Sequence, residues 1–312
     1  MAYFKCGSGG SSVEIDGESY DGDLKLKKTI TNINLPNVPF IFCEGSAFVF
    51  ENEIHIMGGN PTDGYTKHYK FNGNDWEEVS TAPCIPQYQS TVVYDGKIFT
   101  IRGKYYYIFD NGTWTQGTIL SSADDGTVWR AKVLNNKIYA LGYYSSNTYA
   151  MYFDGSTWKT FSKPTNGAGF CITIYDNSLH CLGGNKTLKN HYKYNGSTWT
   201  SISTLPYNFY SGTHAETNNN ELHIFGGTSV ASDAWNDVLN YHYKYNDGVW
   251  TRINDLPIKK FRQGTSETLD NGILIIGGET YLYTHNNSLA TNVYPYGECG
   301  FILDKTVYEI AV

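Results

Sequence analysis

The 312 residues carry 23 Lys and Arg against 30 Asp and Glu, a formal net charge of -7, and no basic cluster offsets that balance, which argues against a nucleic-acid partner. Apolar residues make up 40% and aromatics 16%, including 27 Tyr, a composition that supplies a large core and excludes a disordered chain. No stretch approaches the roughly 18 apolar residues of a membrane span.

In chain order, Ala2-Tyr3-Phe4-Lys5-Cys6 reads as a short strand, Gly7 to Ser12 as a flexible linker, and Glu14 to Asp23 as an acidic stretch. Residues 1–25 are expected to form an arm and residues 26–312 the main domain. The start lacks the long apolar run of a secretory signal, so a soluble chain made in the cytoplasm without a cleaved leader is expected. Cys6, Cys43, Cys84, Cys171, Cys181 and Cys299 are scattered with no C-x-x-C pair, and free thiols with no zinc site follow.

From Leu26 onward the chain repeats itself. The first unit runs Ile54-His55-Ile56-Met57-Gly58-Gly59, then Phe71-Asn72 and Trp76. The second runs from Ile98 to Arg102-Gly103, then Phe109-Asp110 and Trp114; the third from Ile138 to Gly142, then Phe153-Asp154 and Trp158. The fourth runs from Leu179 to Gly183-Gly184, then Tyr194-Asn195 and Trp199; the fifth from Leu222 to Gly226-Gly227, then Tyr245-Asn246 and Trp250. A sixth, Ile273 to Gly277-Gly278, has no Trp after it. Turn formers precede every apolar run: Glu51-Asn52, Asp95-Gly96, Asn135-Asn136, Asp176-Asn177, Asn218-Asn219-Asn220 and Asn271-Gly272. Asn, Asp and Gly tolerate the positive φ of tight hairpins, so each unit is a four-stranded meander.

The glycine pair closing the second strand, the aromatic in the third and the Trp in the fourth resemble the kelch repeat, across about residues 26–312. Arg102-Gly103 and Gly142-Tyr143 depart from the glycine pair. The resemblance implies an all-β, six-bladed kelch-type β-propeller with four-stranded antiparallel blades. Ile33-Asn34-Leu35-Pro36 matches Ile202 to Pro206 and Ile253 to Pro257, the segments that follow Trp in complete units. Leu26 to Asn34 is therefore expected to be the missing outer strand, pairing with Thr306 to Ile310 and closing the ring.

In such a meander one face of the disk carries only short Asn/Asp/Gly turns, which read as structural. The opposite face carries the long connections Gln116 to Arg130, Thr228 to Asn240 and Glu279 to Asp304, and long loops in compact folds are commonly functional. Candidate ligand-binding residues there are Tyr65, Tyr88, Trp129, Arg130, Tyr143, Tyr144, Tyr207, Tyr210, Trp235, Arg262, Tyr281 and Tyr283. Flat rings beside Asn, Asp and Ser suit a sugar or a protein epitope, and the alternative is that several of them simply pack the loops.

His55, His180 and His223 share one position of the second strand, and His68, His191 and His242 share one of the third. Positions spread around a ring do not converge within about 2 Å of one ion, so no metal is expected. His214 and His285 are left over, and the ligand grouping of a galactose-oxidase-like copper enzyme is not found. A sialic-acid mutarotase-like enzyme needs cations for a carboxylate. Arg102, Arg130 and Arg262 are its candidates, with Glu267 and Glu279 as acid/base partners, while Arg252 falls in an outer strand. No catalytic elbow, phosphate loop or metalloprotease motif occurs, and no cofactor is expected.

The Lys/Phe/Cys start running into a Gly/Ser linker looks like small structural proteins of bacterial viruses and phage-tail-like particles. The expectation is a non-enzymatic recognition or structural module, attached to a protein assembly through residues 1–25 and binding a glycan or protein on its long-loop face. A sugar-processing enzyme and an intracellular kelch scaffold or adaptor stay open as alternatives.

Overall fold

The computed structural model describes residues 12–15, 18–21, 25–34, 45–58, 66–82, 90–145, 147–164, 167–184, 189–210, 212–229, 239–253, 255–256, 265–269, 272–276 and 301–311. Among these every regular element is a strand, and the chain folds into a β-propeller with four-stranded antiparallel blades. Among the described residues there are six four-stranded antiparallel sheets, together with a hairpin pairing Ser12–Ile15 with Glu18–Asp21. The expected strand at Ala2 to Cys6 lies outside the described residues.

Sheet I comprises Ser46–Phe50, Glu53–Met57, Lys67–Phe71 and Trp76–Thr81. Sheet II comprises Ser90–Tyr94, Lys97–Arg102, Tyr105–Asp110 and Thr113–Thr118. Sheet III comprises Val128–Leu134, Lys137–Tyr144, Asn147–Phe153 and Trp158–Thr160. Sheet IV comprises Phe170–Tyr175, Ser178–Gly183, Asn190–Tyr194 and Trp199–Thr204. Sheet V comprises Thr213–Asn218, Glu221–Gly226, His242–Asn246 and Val249–Arg252. Sheet VI draws on both ends of the chain. Thr265–Leu269 and Gly272–Ile276 are followed by Phe301–Ala311, which pairs antiparallel with Lys25–Asn34, Val307 standing opposite Thr29.

The first strand of each sheet lies beside the first strand of the next, and Thr265–Leu269 lies against Ser46–Phe50. All six first strands contribute residues to one cavity, the channel, and the later strands of each sheet follow in order away from it.

Local chemistry explains the meanders. At Asn135 and Asn136 (φ 49° and 55°) and at Asp176 and Asn177 (φ 47° and 49°), both turn residues are left-handed, the geometry whose twist matches paired strands. Before the fourth strand, the Asn72 and Asn195 side chains accept hydrogen bonds from the backbone N–H groups of Asp75 and Thr198 at 2.9 and 2.8 Å, pre-forming the turn that delivers the tryptophan. Each tryptophan then meets the aromatic of its own third strand: Phe71–Trp76, Phe109–Trp114, Phe153–Trp158, Tyr194–Trp199 and Tyr245–Trp250 have ring centroids 5.5, 5.0, 5.4, 5.2 and 5.0 Å apart. Such pairs contribute about 0.5–1.5 kcal/mol each beyond area burial, and the motif that marks the repeat is thus a packing unit. The core lies between neighbouring sheets, as where Phe99, Ile101, Trp129, Ala131, Ile138 and Phe153 join sheet II to sheet III.

One expected long loop is shorter. The run from Gln116 to Arg130 contracts to 119–127, because alternation continues through Thr113–Thr118 and resumes at Val128. Ile119, Ala123 and Thr127 within it are buried.

Candidate functional site

The contraction overturns one candidate. Trp129 is a core residue with no exposed surface, its indole N–H donating to the Gly103 carbonyl at 2.7 Å. Its ring fills the space over Gly142, where an added Cβ would sit 2.7 Å away. The two departures from the glycine pair therefore flank one tryptophan that locks sheet II to sheet III. Arg130, next to it, is half-buried and turns back to donate to the Trp129 carbonyl at 3.0 Å.

Of the remaining candidates, Tyr65, Tyr88, Trp235, Arg262, Tyr281 and Tyr283 lie outside the described residues, as does Glu279. Tyr143, Tyr207 and Tyr210 are half-buried and Tyr144 is 43% exposed. All four sit at the end of the sheets that carries the longer connections. Tyr143 packs edge-on against Phe170 with centroids 5.3 Å apart, and Tyr207 against Tyr241 at 4.9 Å. The Arg252 guanidinium stacks 4.0 Å above the Tyr241 ring and is held there by both carboxylate oxygens of Asp255.

The channel holds the residues that sequence reasoning missed. Register aligns its walls: Phe48, Val92, Lys132, Thr173, Glu216 and Glu267 stand opposite His55, Phe99, Tyr139, His180, His223 and Leu274, so they occupy one level around the axis. Three of the six are charged. Lys132 reaches from sheet III to Glu216 on sheet V, Nζ to Oε2 2.8 Å, with the Glu216 side chain only 4% exposed. The hydroxyls of Ser266 and Thr268 donate to the same carboxylate at 2.8 and 3.1 Å.

Glu267, partly exposed, accepts no hydrogen bond among the described residues, and burial pushes its carboxyl up to about 7, opposed by Lys132 and aided by the Glu216 carboxylate. Burial pulls Lys132 down, but Glu216 and Glu267 more than offset it and hold the ammonium above its ordinary range. These groups line a cavity of about 350 Å³. Its other wall is a ring of β-branched residues one step nearer the two-residue turns, Val49, Val93, Val133, Ile174, Thr217 and Thr268. The volume lies at the low end for small-molecule sites. A carboxyl that titrates near neutrality in such a cavity is able to exchange protons with a ligand. Glu267 was visible as an acid/base candidate. Lys132 and Glu216 emerge only when first strands are aligned by register, which shows them to be charges where Phe, Val and Thr stand elsewhere.

The histidines form pairs within sheets. Nδ1 of the second-strand ring lies against Nε2 of the third-strand ring: His55–His68 at 2.9 Å, His180–His191 at 2.7 Å and His223–His242 at 2.9 Å. The third-strand Nδ1 continues to a fourth-strand hydroxyl, Ser80 at 2.9 Å from His68 and Ser203 at 2.8 Å from His191. Burial drives His55 and His180 down to about 4 and His68 and His191 to about 3. Sheet II fills the same two positions with stacked Phe99 and Tyr106, so the pairs are packing elements that happen to titrate. His214 stacks on Phe225 and approaches the Ser266 hydroxyl at 3.2 Å. Cys171 and Cys181 are free and buried, and burial pushes the Cys171 thiol up to about 12, which makes it inert.

No family model matches the chain, and no curated protein matches it. Among solved structures it is similar to the "Structure of YjhT", with a TM-score of 0.65 and 16% identity over 88% of this chain and 99% of that one. At that identity the likeness shows the β-propeller fold alone.

Proposed function

We propose that this chain is a non-enzymatic recognition module that binds a glycan or a protein through the face carrying its longer connections. The supporting observation is the inequality of the two ends of the sheets. One end is built from short Asn/Asp/Gly turns, and the other presents Tyr143, Tyr144, Tyr207 and Tyr210 beside polar side chains. Rigid amphipathic rings give contact area at low entropy cost, which suits sugars and epitopes alike. In this reading the propeller is a six-bladed ring of kelch type, closed through Lys25–Asn34, and residues 1–25 fasten it to a larger assembly such as a virion or tail-like particle, as a decoration or receptor-binding head. A glycan array and whole-cell binding, run with the intact protein beside a Tyr144→Ala, Trp235→Ala variant, test it. Saturable binding that is lost in the variant and yields no product is the expected result.

A second reading is favoured by the placement of Glu267. A sugar-processing enzyme would use that carboxyl, near 7 in its cavity, as the acid/base group. Turnover of any bound glycan that disappears in Glu267→Gln replaces the recognition reading with this one.

A further inference from the structure

We propose that the channel cavity is a binding site for a small organic cation, a primary ammonium on a short apolar stem, whose head is held by Glu267. Three observations carry it. The charged level brings together one cation and two carboxyl groups, and the hydrogen bonds of Lys132, Ser266 and Thr268 all go to Glu216, Lys132 acting on Glu267 through its charge alone. Glu267 is left in the cavity wall as an acceptor without a donor among the described residues. Around it the lining alternates Thr91, Thr173, Thr217 and Thr268 with apolar residues, among them Val49, Val92, Val93, Val133 and Ile174.

Other ligand classes fit less well. An anion meets two carboxyl groups at close range. A polyol needs free donors as well as acceptors, and the Thr91 and Thr217 hydroxyls are engaged, with Thr100 at 2.6 Å and the Ile174 carbonyl at 2.6 Å. A hard divalent ion needs six or more oxygens around it, whereas the hydroxyls of Ser266 and Thr268 point at Glu216. An alkylammonium uses what is there: a carboxylate for the charge and β-branched side chains for the stem.

The site carries its own pH dependence. The charged groups acting on Glu267 are Lys132 on sheet III and Glu216 on the first strand of sheet V, while the neighbouring strands Ser46–Phe50 and Gly272–Ile276 contribute no ionisable side chain. Glu267 is protonated below about 7, so the cation site is complete only above that value, and affinity falls about tenfold for each pH unit below it.

The test uses n-butylammonium chloride, titrated calorimetrically into the full chain from pH 5.5 to 8.5, with 1-butanol and calcium chloride as controls. Binding of butylammonium that tightens by tenfold or more between pH 5.5 and 7, levels off above 8, and falls at least tenfold in Glu267→Gln supports the proposal. Equal binding of 1-butanol, or a flat pH profile, overturns it and leaves an apolar hole. Preferential binding of calcium overturns it in favour of an inorganic cation. Thermal unfolding of Glu267→Gln establishes that the variant is folded, and should it not be, the pH profile and the butanol comparison on the unaltered chain decide alone.

Discussion

Two regions of the propeller bury titratable groups, and they do so in opposite ways. Within the sheets, histidines come in pairs at repeated positions, each ring bonded to a neighbour and interchangeable with Phe99 and Tyr106 in sheet II. In the channel, Lys132, Glu216 and Glu267 occur once each, at a level where the other three sheets place Phe48, Val92 and Thr173. What repeats around the ring answers the demands of the fold, whereas what breaks the repeat needs another reason to be there. Glu267, lacking a hydrogen-bond partner among the described residues and held near neutrality, is the sharpest break.

The largest effect that sharpens this contrast is acid unfolding. His55, His68, His180 and His191 are held at about 3 to 4 in the folded protein and return to about 6.5 when it unfolds, so the unfolded chain binds more protons as pH falls. Stability is full above about 6.5 and is lost toward pH 4 at up to about 1.4 kcal/mol per pH unit for each histidine, less whatever the paired rings share. Glu267 works in the reverse sense, its raised value favouring the folded state below 4.5 and costing stability as pH rises through 7, but it is one group against four. Denaturant titrations from pH 7.5 to 4 should show a steep monotonic loss, and a flat profile would place the histidine pairs in contact with water.

Next in size is Glu216→Ala. It removes the carboxylate hydrogen-bonded to the Lys132 ammonium, leaves Glu267 as the remaining counter-charge, and should cost about 1–3 kcal/mol. A loss under 1 kcal/mol, read from the denaturant midpoint, would mean that the channel is wetter than its geometry indicates.

Copying the sheet II pair into sheet I, as His55→Phe with His68→Tyr, is a volume-tolerant exchange and should change stability by less than about 1.5 kcal/mol. It should also flatten the acid limb of the pH profile. A severe loss would give the histidine pairs a role beyond packing. The smallest effect is Tyr144→Ala, an exposed ring whose removal should shift stability by no more than about 0.5 kcal/mol. Binding of any ligand on that face should fall nonetheless, and the gap between the two measurements tells a contact residue from a support.

The meanders were legible because their signals are local: turn residues, a strand ending in glycine, and an aromatic followed by tryptophan are read within a dozen residues. The channel was not, because Lys132, Glu216 and Glu267 are far apart in sequence and meet only through strand register. Trp129 misled for a related reason. Its polar company, Arg130 and Asp124-Asp125, suggested a loop, and the alternation that puts it in a strand facing Gly142 and Gly103 shows only when sheets II and III are set side by side. The histidines carried a readable clue: wherever the second strand has His in sheets I, IV and V, so does the third.

Sheet VI ties Lys25–Asn34 to Phe301–Ala311, and so sets the order in which the molecule is able to assemble. A ribosome adding about 5–20 residues per second makes the first strand roughly 15–55 s before its partner. During that interval the Lys25–Asn34 backbone has no sheet of its own, and any message cut short leaves it open. A nascent chain halted before Phe301 should therefore attract chaperones or proteases through this unpaired strand, while a chain that has reached Ala311 hides the same ten residues in sheet VI.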